Sequence, residues 1–332
     1  MAKTQIADII KPEPLFRDSV VERSTELSAF WQSGIVRSDP TLDGFASGKG
    51  SIFDLPYWND LSGASEILSD SGALTPAKLD QSKDRAVKHF RGRAWSANDL
   101  AKALAGDDPI DRVVEFVASW WARALQVDVL LPSLQGIFAT ALAATHIIDI
   151  SIEDGDNALD ANLIGSDAVI DVQNLLGDHW MAITAMAMHS KPFSRLQKLN
   201  LIEFMPLAQQ NIDVPTFLGR RVIVDDGMPV VAGGTSGSKY TTYLFGDGAV
   251  GHGEGRSPSL EDTEAIETDR DALAGDDIFV TRRHFILHPR GVQFSGTPVG
   301  ASPSTAELQN GANWTKAWQD KNIQIVQLIT NG

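Results

Sequence analysis

Cysteine is absent from all 332 residues, which excludes disulfides and thiolate metal centres outright. Cations are scarce as well: 28 lysines and arginines face 43 aspartates and glutamates, a formal net charge of −15. A surface of that sign is not built to grip nucleic-acid phosphates. There is no apolar run of the about 18 residues a membrane helix needs, so no membrane partner is expected. The opening residues, Met1-Ala2-Lys3-Thr4-Gln5, turn polar at once and lack a signal-peptide core, so synthesis in the cytosol is the simple expectation. No serine nucleophile elbow, phosphate-binding loop or internal repeat is present, which leaves little for an enzyme to work with.

What is present is ordinary globular material, 43% hydrophobic and 21% charged, long enough for a substantial core and about two domains. The unusual stretch is 57–109. It starts at Tyr57-Trp58-Asn59-Asp60-Leu61-Ser62-Gly63, passes Arg91-Gly92-Arg93-Ala94-Trp95, and stops at Gly106-Asp107-Asp108-Pro109. Loops beyond about 12–15 residues are normally functional or disordered. Its aromatic and β-branched residues speak against disorder, so it reads as a projecting arm with no core of its own, lying on something else.

Elsewhere the elements are more conventional. A helix is expected from about Arg17 to Gln32, followed by chain breaks at Asp43-Gly44 and Ser47-Gly48-Lys49-Gly50. After Pro109, with Asp108 as cap, Ile110, Val113, Val114, Val117, Trp120, Trp121, Ala124 and Leu125 follow helical spacing. The pattern extends towards His146, a rod of roughly 55 Å that Pro132 should kink or interrupt. Trp120 and Trp121 are expected in the core. Beyond 147 the texture is mixed: helices over Ser166–Leu176, capped by Ser166, and over Pro192–Asn200, opened by Ser190. Strands are expected at Ile183–Met188, Thr216–Val224, Tyr240–Phe245, Ile278–Val292 and Ile323–Ile329.

Three patterns imitate chemistry. Gly246-Asp247-Gly248-Ala249-Val250-Gly251 matches a dinucleotide fingerprint, but His252 to Pro258 cannot open the helix that would hold a pyrophosphate. His284 and His288 lie about 13 Å apart if extended, too far for one metal. The acidic turn Asp149, Glu153, Asp154, Asp156 and Asp160 lacks the glycine and terminal glutamate of a calcium loop. No cofactor, metal or catalytic residue is therefore assigned. Charge placement says more: in residues 79–93, Lys83, Arg85, Lys88, Arg91 and Arg93 outweigh Asp80 and Asp84 by three, leaving about −18 elsewhere. A basic arm on an acidic body suits self-complementary association.

Several segments resemble a known family. They include Tyr57 to Gly63, Leu68-Ser69-Asp70-Ser71-Gly72-Ala73-Leu74-Thr75-Pro76, Arg91 to Ser96 and Met186-Ala187-Met188-His189-Ser190. Gly219 to Asp226 and Arg282-Arg283-His284-Phe285-Ile286-Leu287-His288-Pro289-Arg290-Gly291 continue the series, in order from about residue 50 to 329. The family is the major capsid proteins of tailed bacteriophages. The resemblance implies an α+β chain of the Hong Kong 97-type capsid fold. It implies an N-terminal arm (1–47), an extended β-hairpin loop (48–100), a peripheral domain with the spine helix (101–149), an α/β axial domain (150–264), a return to the peripheral domain (265–300), and a C-terminal segment with the final strand (301–332). It further implies hexamers and pentamers of the chain closing an icosahedral head around double-stranded DNA bound without sequence specificity. A scaffolding protein, a portal protein and a cement or decoration protein are the other expected partners, and the virion the expected location. Tyr57, Trp58, Lys83, Arg85, Lys88, Arg91, Arg93 and Trp95 are the intersubunit-contact candidates. The alternatives are an encapsulin-like compartment and, from another class, a cytosolic nucleotide-dependent enzyme.

Overall fold

The computed structural model describes residues 29–61, 63–67, 74, 76, 78–98, 109–206, 213–255, 267–271 and 276–332. The expected helix start at Arg17 and the Asp108 cap lie outside the described residues.

Helix α1 (Ala29–Gln32) leads into strand β1 (Val36–Ser38) and helix α2 (Pro40–Ser47). Asp39 caps α2 by accepting from the Thr41 amide at 2.9 Å, and Pro40 sits in the first turn, where no N–H is needed. The chain break expected at Asp43-Gly44 is therefore inside a helix. A helical glycine costs only about 1 kcal/mol, less than burial of Leu42 and Ala46 returns. The stop comes at Gly48, whose amide bonds back to the Gly44 and Phe45 carbonyls.

Strands β2 (Ile52–Trp58) and β3 (Gln81–Asn98) pair antiparallel, Ile52 facing Val87 and Trp58 facing Gln81. The other edge of β3 is covered by residues 276–286, Asn98 facing Asp276 and Lys88 facing Ile286. Ala86, Val87, Lys88 and His89 are consequently buried. This corrects the expectation of a coreless arm: its second limb, residues 81–98, is interior to a sheet, while the described residues between Trp58 and Gln81 lie beyond the ladder. Sequence concealed this because the covering strand comes from the far end of the chain.

The rod begins at Pro109 as expected, with α3 (Pro109–Ala124), widens to a π-helical turn at Leu125–Leu130, and resumes as α4 (Leu131–Ala139). It spans roughly 45 Å at 1.5 Å per residue and ends short of His146. Pro132 cannot donate to the Asp128 carbonyl. The Leu131 amide reaches five residues back to Gln126, which widens the turn, and the freed Asp128 carbonyl accepts from the Thr305 hydroxyl at 3.2 Å. The proline thus changes the hydrogen-bond ladder without ending the rod.

The remaining elements are β4 (Ile147–Asp149), α5 (Ser166–Asn174), β5 (Ile183–Met188), α6 (Ser190–Lys198), β6 (Glu203–Pro206), β7 (Asp213–Phe217), β8 (Arg220–Val224), β9 (Val230–Ala232), β10 (Ser238–Gly246), β11 (Val250–Glu254), β12 (Glu267–Asp271), β13 (Asp276–Pro289), β14 (Val292–Phe294), α7 (Thr305–Gln309), β15 (Trp314–Lys316) and β16 (Ile325–Thr330). Two expected caps are displaced by one residue. Gly165 holds the N-cap position of α5, and the His189 ring nitrogen caps α6 by accepting from the Lys191 amide at 3.1 Å. The single β run expected over Thr216–Val224 is a hairpin instead. Leu218 and Gly219, at φ of 50° and 74°, form its two-residue turn, a left-handed pair matched to strand twist.

Among the described residues the strands form a six-stranded sheet (β1-β11-β13-β3-β2, with β12 on β13), an eight-stranded sheet (β4-β16-β10-β5-β8-β7-β6, with β9 on β10) and a two-stranded sheet (β14-β15). The rod lies against the first two: Leu125, Leu130, Leu134 and Phe138 share one core with Val87, Phe285 and Leu287 of the first and with Ala185, Tyr243 and Phe245 of the second. Helices α5 and α6 cover the opposite face of the eight-stranded sheet, where Ile183, Met188, Leu244 and Val326 pack on Val169, Val172 and Leu196. Chain order and sheet membership diverge at two places. Strand β11 joins the six-stranded sheet, and the C-terminal β16 lies between β4 and β10 in the eight-stranded one.

Gly136 shows how tightly the rod is seated. A Cβ there would lie 2.0 Å from the Leu308 carbonyl oxygen and 2.6 Å from Trp314 Nε1, the two partners of a 2.7 Å hydrogen bond. Helical Gly→Ala ordinarily stabilises by about 1 kcal/mol. Gly136→Ala is instead expected to destabilise by about 1–3 kcal/mol, read as a lowered midpoint in denaturant unfolding. An unchanged or raised midpoint would show that the Leu308–Trp314 segment yields.

Candidate functional site

The hairpin holds all eight residues expected at a shared surface, and the structure gives them different jobs. On β2, Asp54 accepts from Lys83 Nζ and from Arg85 Nε, both at 2.8 Å. Arg85 stands directly opposite Asp54 in the ladder, so the pair is a cross-strand clamp. The hydrogen bonds from Arg85, and then Lys83, hold the Asp54 carboxyl below its ordinary value. Lys88 is buried and donates to the Gly48 carbonyl at 2.7 Å, its ammonium 5.3 Å from the Phe90 ring centroid. Arg91 donates to the Pro303 carbonyl at 3.0 Å. Tyr57 donates its hydroxyl proton to the Ala317 carbonyl and meets the Trp318 ring edge-on. Trp95 packs edge-on against Trp120 with centroids 5.1 Å apart. Trp58 and Arg93 remain exposed. Six of the eight thus tie the hairpin to its own chain, and the hairpin stands as a braced element.

Beyond Trp58 and Gln81 the tip is different. Asn59 closes the ladder, its amide donating to the Asp80 carbonyl and its side chain to Ser82 Oγ. Leu61, Ile67, Leu74 and Leu79 are then exposed together with Trp58. Sequence reading passed over these aliphatic residues and over Asp54. The available signal was large apolar residues in a polar run, with no helical or strand period to bury them.

Beneath the hairpin the six-stranded sheet carries buried charge. Asp84 Oδ2 accepts from His288 Nε2 at 2.9 Å and from the Gly291 amide at 3.1 Å, while Oδ1 accepts from the Arg85 amide. Burial alone would raise this carboxyl, but His288 and the two amides hold it below its ordinary value. Glu254 grips Arg283 with both oxygens, at 3.1 and 2.9 Å, and lies 3.4 Å from His252 Nε2. Against an opposing desolvation, Arg283 and His252 bring Glu254 down to about 2. His89 is fully buried against the Phe285 ring, neither ring nitrogen having a hydrogen-bond partner among the described residues; burial, with the Arg91 charge, lowers it to about 3.

The imitative motifs have structural explanations. Gly246 ends β10, Gly248 turns at φ 62°, and β11 follows, so the glycine pattern is a strand–turn–strand connection. His284 and His288 both lie on β13, one edge-on to Phe90 and the other bound to Asp84. In the acidic turn Glu153 binds Lys239 and the Gly234 amide, Asp154 binds Ser236 and Asn157, and Asp160 binds Arg195. Among the described residues no cluster of three or more such groups is placed to hold a metal ion.

A long helical rod packed against two sheets, with a braced hairpin whose described tip residues expose apolar side chains, is the architecture of a shell-forming capsid subunit. Solved structures agree on the fold. The capsid of Ralstonia phage GP4 superposes with a TM-score of 0.58 at 10% identity, covering 92% of this chain and 91% of that one. The cyanophage Pam1 capsid does so at 0.53 and 12%, over 100% and 96%. In sequence, the major capsid protein of Bacillus phage SPP1 is 42% identical over 331 residues, 98% of each chain. The profile of the Gp13-like family, described as major capsid protein 13-like, matches residues 56–323. The chain belongs to this family of major capsid proteins. It is a structural component of the phage virion that assembles with itself into a shell, not an enzyme.

Proposed function

We propose that copies of this chain form hexamers and pentamers that close an icosahedral head around double-stranded DNA. A scaffolding protein directs assembly, a portal protein occupies one vertex, and a cement or decoration protein binds the finished shell. Synthesis takes place in the host cytoplasm. The observation that carries the reading is the braced hairpin, whose described tip residues expose large apolar side chains. Tyr57, Trp58, Lys83, Arg85, Lys88, Arg91, Arg93 and Trp95 form or support the contact this arm makes with a neighbouring subunit. The division into arm (1–47), loop (48–100), peripheral (101–149 and 265–300), axial (150–264) and C-terminal (301–332) parts draws support from the two larger sheets, with β4 and β16 joining the eight-stranded sheet and β11 the six-stranded one. The net charge of −15 suits a wall that must release its genome.

The test is electron microscopy of the protein co-expressed with its scaffolding protein. Closed particles of uniform size built from pentamers and hexamers are expected. Only monomers under all conditions would sink the reading. Particles loaded with a cargo enzyme in place of DNA during infection would favour the encapsulin-like alternative.

A further inference from the structure

We propose that Arg220, laid on the Trp180 ring beside the β7–β8 turn, anchors a carboxylate of a second copy of this chain. This rests on the self-assembly described above and concerns a surface apart from the hairpin.

Arg220 opens β8 directly after the two-residue turn and is only 7% exposed. Its guanidinium lies 5.7 Å from the Trp180 ring centroid and donates through Nη1 to the Leu218 carbonyl at 2.9 Å. Nε is buried without a hydrogen-bond partner. Burial pushes the group below its ordinary value, and among the described residues no carboxylate offsets that cost. Asp178, in the same Gly177–Ala182 turn as Trp180, is already held by Lys321 Nζ at 2.6 Å. Arg283, Arg290 and Arg195 differ in this respect: each meets a carboxylate, from Glu254, Asp39 and Asp160. A desolvated cation is costly unless paired. A planar guanidinium is also the group best shaped to receive a carboxylate.

The surroundings place the site at the surface and point to a protein as its occupant. Trp180, Met181 and Leu218 are 39%, 74% and 44% exposed. Leu218 is held at φ 50°, in the left-handed region, where asparagine or glycine would sit with less strain. Backbone strain of this kind concentrates at binding sites. Arginine, tryptophan and methionine are the residues enriched at protein interfaces, and a buried arginine among apolar neighbours is the usual anchor. A free anion would find a single guanidinium and apolar walls, whereas a carboxylate carried on a polypeptide also brings apolar atoms to cover Met181 and Leu218. Charge selects the polypeptide. Each copy carries 43 aspartates and glutamates against 28 lysines and arginines, so each offers its neighbours a surplus of carboxylates.

The experiment compares the full wild-type chain with Arg220→Met and Leu218→Asn, each co-expressed with the scaffolding protein. Sedimentation would give the protein concentration at which particles form, and melting curves the stability of unassembled subunits. Arg220→Met keeps an apolar stem on Trp180 and removes the charge. It should need at least about a tenfold higher concentration, since truncating one partner of a desolvated charge pair weakens an interface by no less. Its unassembled subunit should melt at or above the wild-type temperature, because an unpaired buried charge is gone. Leu218→Asn suits the left-handed turn and should likewise hold or raise the melting temperature while weakening assembly. Arg220→Met particles forming at the wild-type concentration would overturn the proposal and leave the shell reading standing. A lower melting temperature of unassembled Arg220→Met would mean that the arginine serves its own subunit, which also overturns it. Inorganic phosphate that raises the melting temperature of the unassembled wild type, but not of Arg220→Met, would give the site to a free anion. Loss of the scaffolding protein from unassembled Arg220→Met alone, on copurification, would give it to that partner. Either result overturns the proposal. A wild-type chain that forms no particles removes it together with the shell reading.

Discussion

Cutting Glu254 back to alanine is expected to destabilise the folded subunit by about 3–5 kcal/mol, because Arg283 would be left buried without its bidentate partner. The pair joins β11 to β13 at 2.9 and 3.1 Å, and the guanidinium also lies 5.3 Å from the Trp121 ring centroid. Glu254→Gln keeps an oxygen that accepts from Arg283 and should cost less. Denaturant midpoints at constant slope would measure both, and equal stability of Glu254→Ala and wild type would dismiss the pair. The same carboxylate makes the subunit acid-sensitive. Its folded value of about 2 lies below the ordinary 4.5. Its contribution is therefore complete above about pH 4.5 and lost as pH falls towards 2. His89 acts in the same direction higher up: it titrates near 3 when folded and near 6.5 otherwise. The neutral buried ring thus favours the fold fully above about pH 6.5, and less as pH falls towards 3. Melting temperatures should fall progressively below about pH 6.5, and His89→Leu should flatten the upper part of that decline. A melting temperature constant from pH 7 to 4 would contradict this account.

Trp121→Ala is the second large effect, expected to cost about 3–5 kcal/mol. Trp121 is among the largest fully buried side chains, and it fastens α3 to β13 through a 3.0 Å bond from its indole N–H to Thr281 Oγ1. Trp121→Phe keeps a ring beneath Arg283 but gives up that bond, so a loss nearer 1 kcal/mol is expected from the missing hydrogen bond. The measurement is again the unfolding midpoint. If both substitutions cost the same, the indole N–H rather than the packed ring carries the site.

Trp121 was legible in advance because helical spacing placed it on the apolar face, its neighbour Trp120 being only half-buried, and Pro109 marked the start of the rod. Pro132 was legible only as a disturbance. Whether it ends a helix or widens it depends on a partner for the Asp128 carbonyl, and that partner, Thr305, sits in a segment with no local connection to the rod. The basic strip illustrates the opposite error. Lys83, Arg85, Lys88 and Arg91 formed a charge pattern in sequence, but Asp54 and the Gly48 and Pro303 carbonyls each take up part of it. The aliphatic tip went unnoticed because isolated apolar residues without a period carry no signal until their exposure is known.

By itself the sequence determined the α+β class, the rod, most strands, the absence of thiol chemistry and, through ordered motifs, the family. These follow from local periodicity, composition and short-range chain geometry, each of which is encoded within a few residues. Tertiary structure alone decided that residues 81–98 are a central strand, that β16 completes a sheet begun near Ile147, and which charges are buried in pairs. Strand pairing and charge burial join residues far apart in the chain. Their partners are selected by the packing of the whole molecule, which no local pattern records.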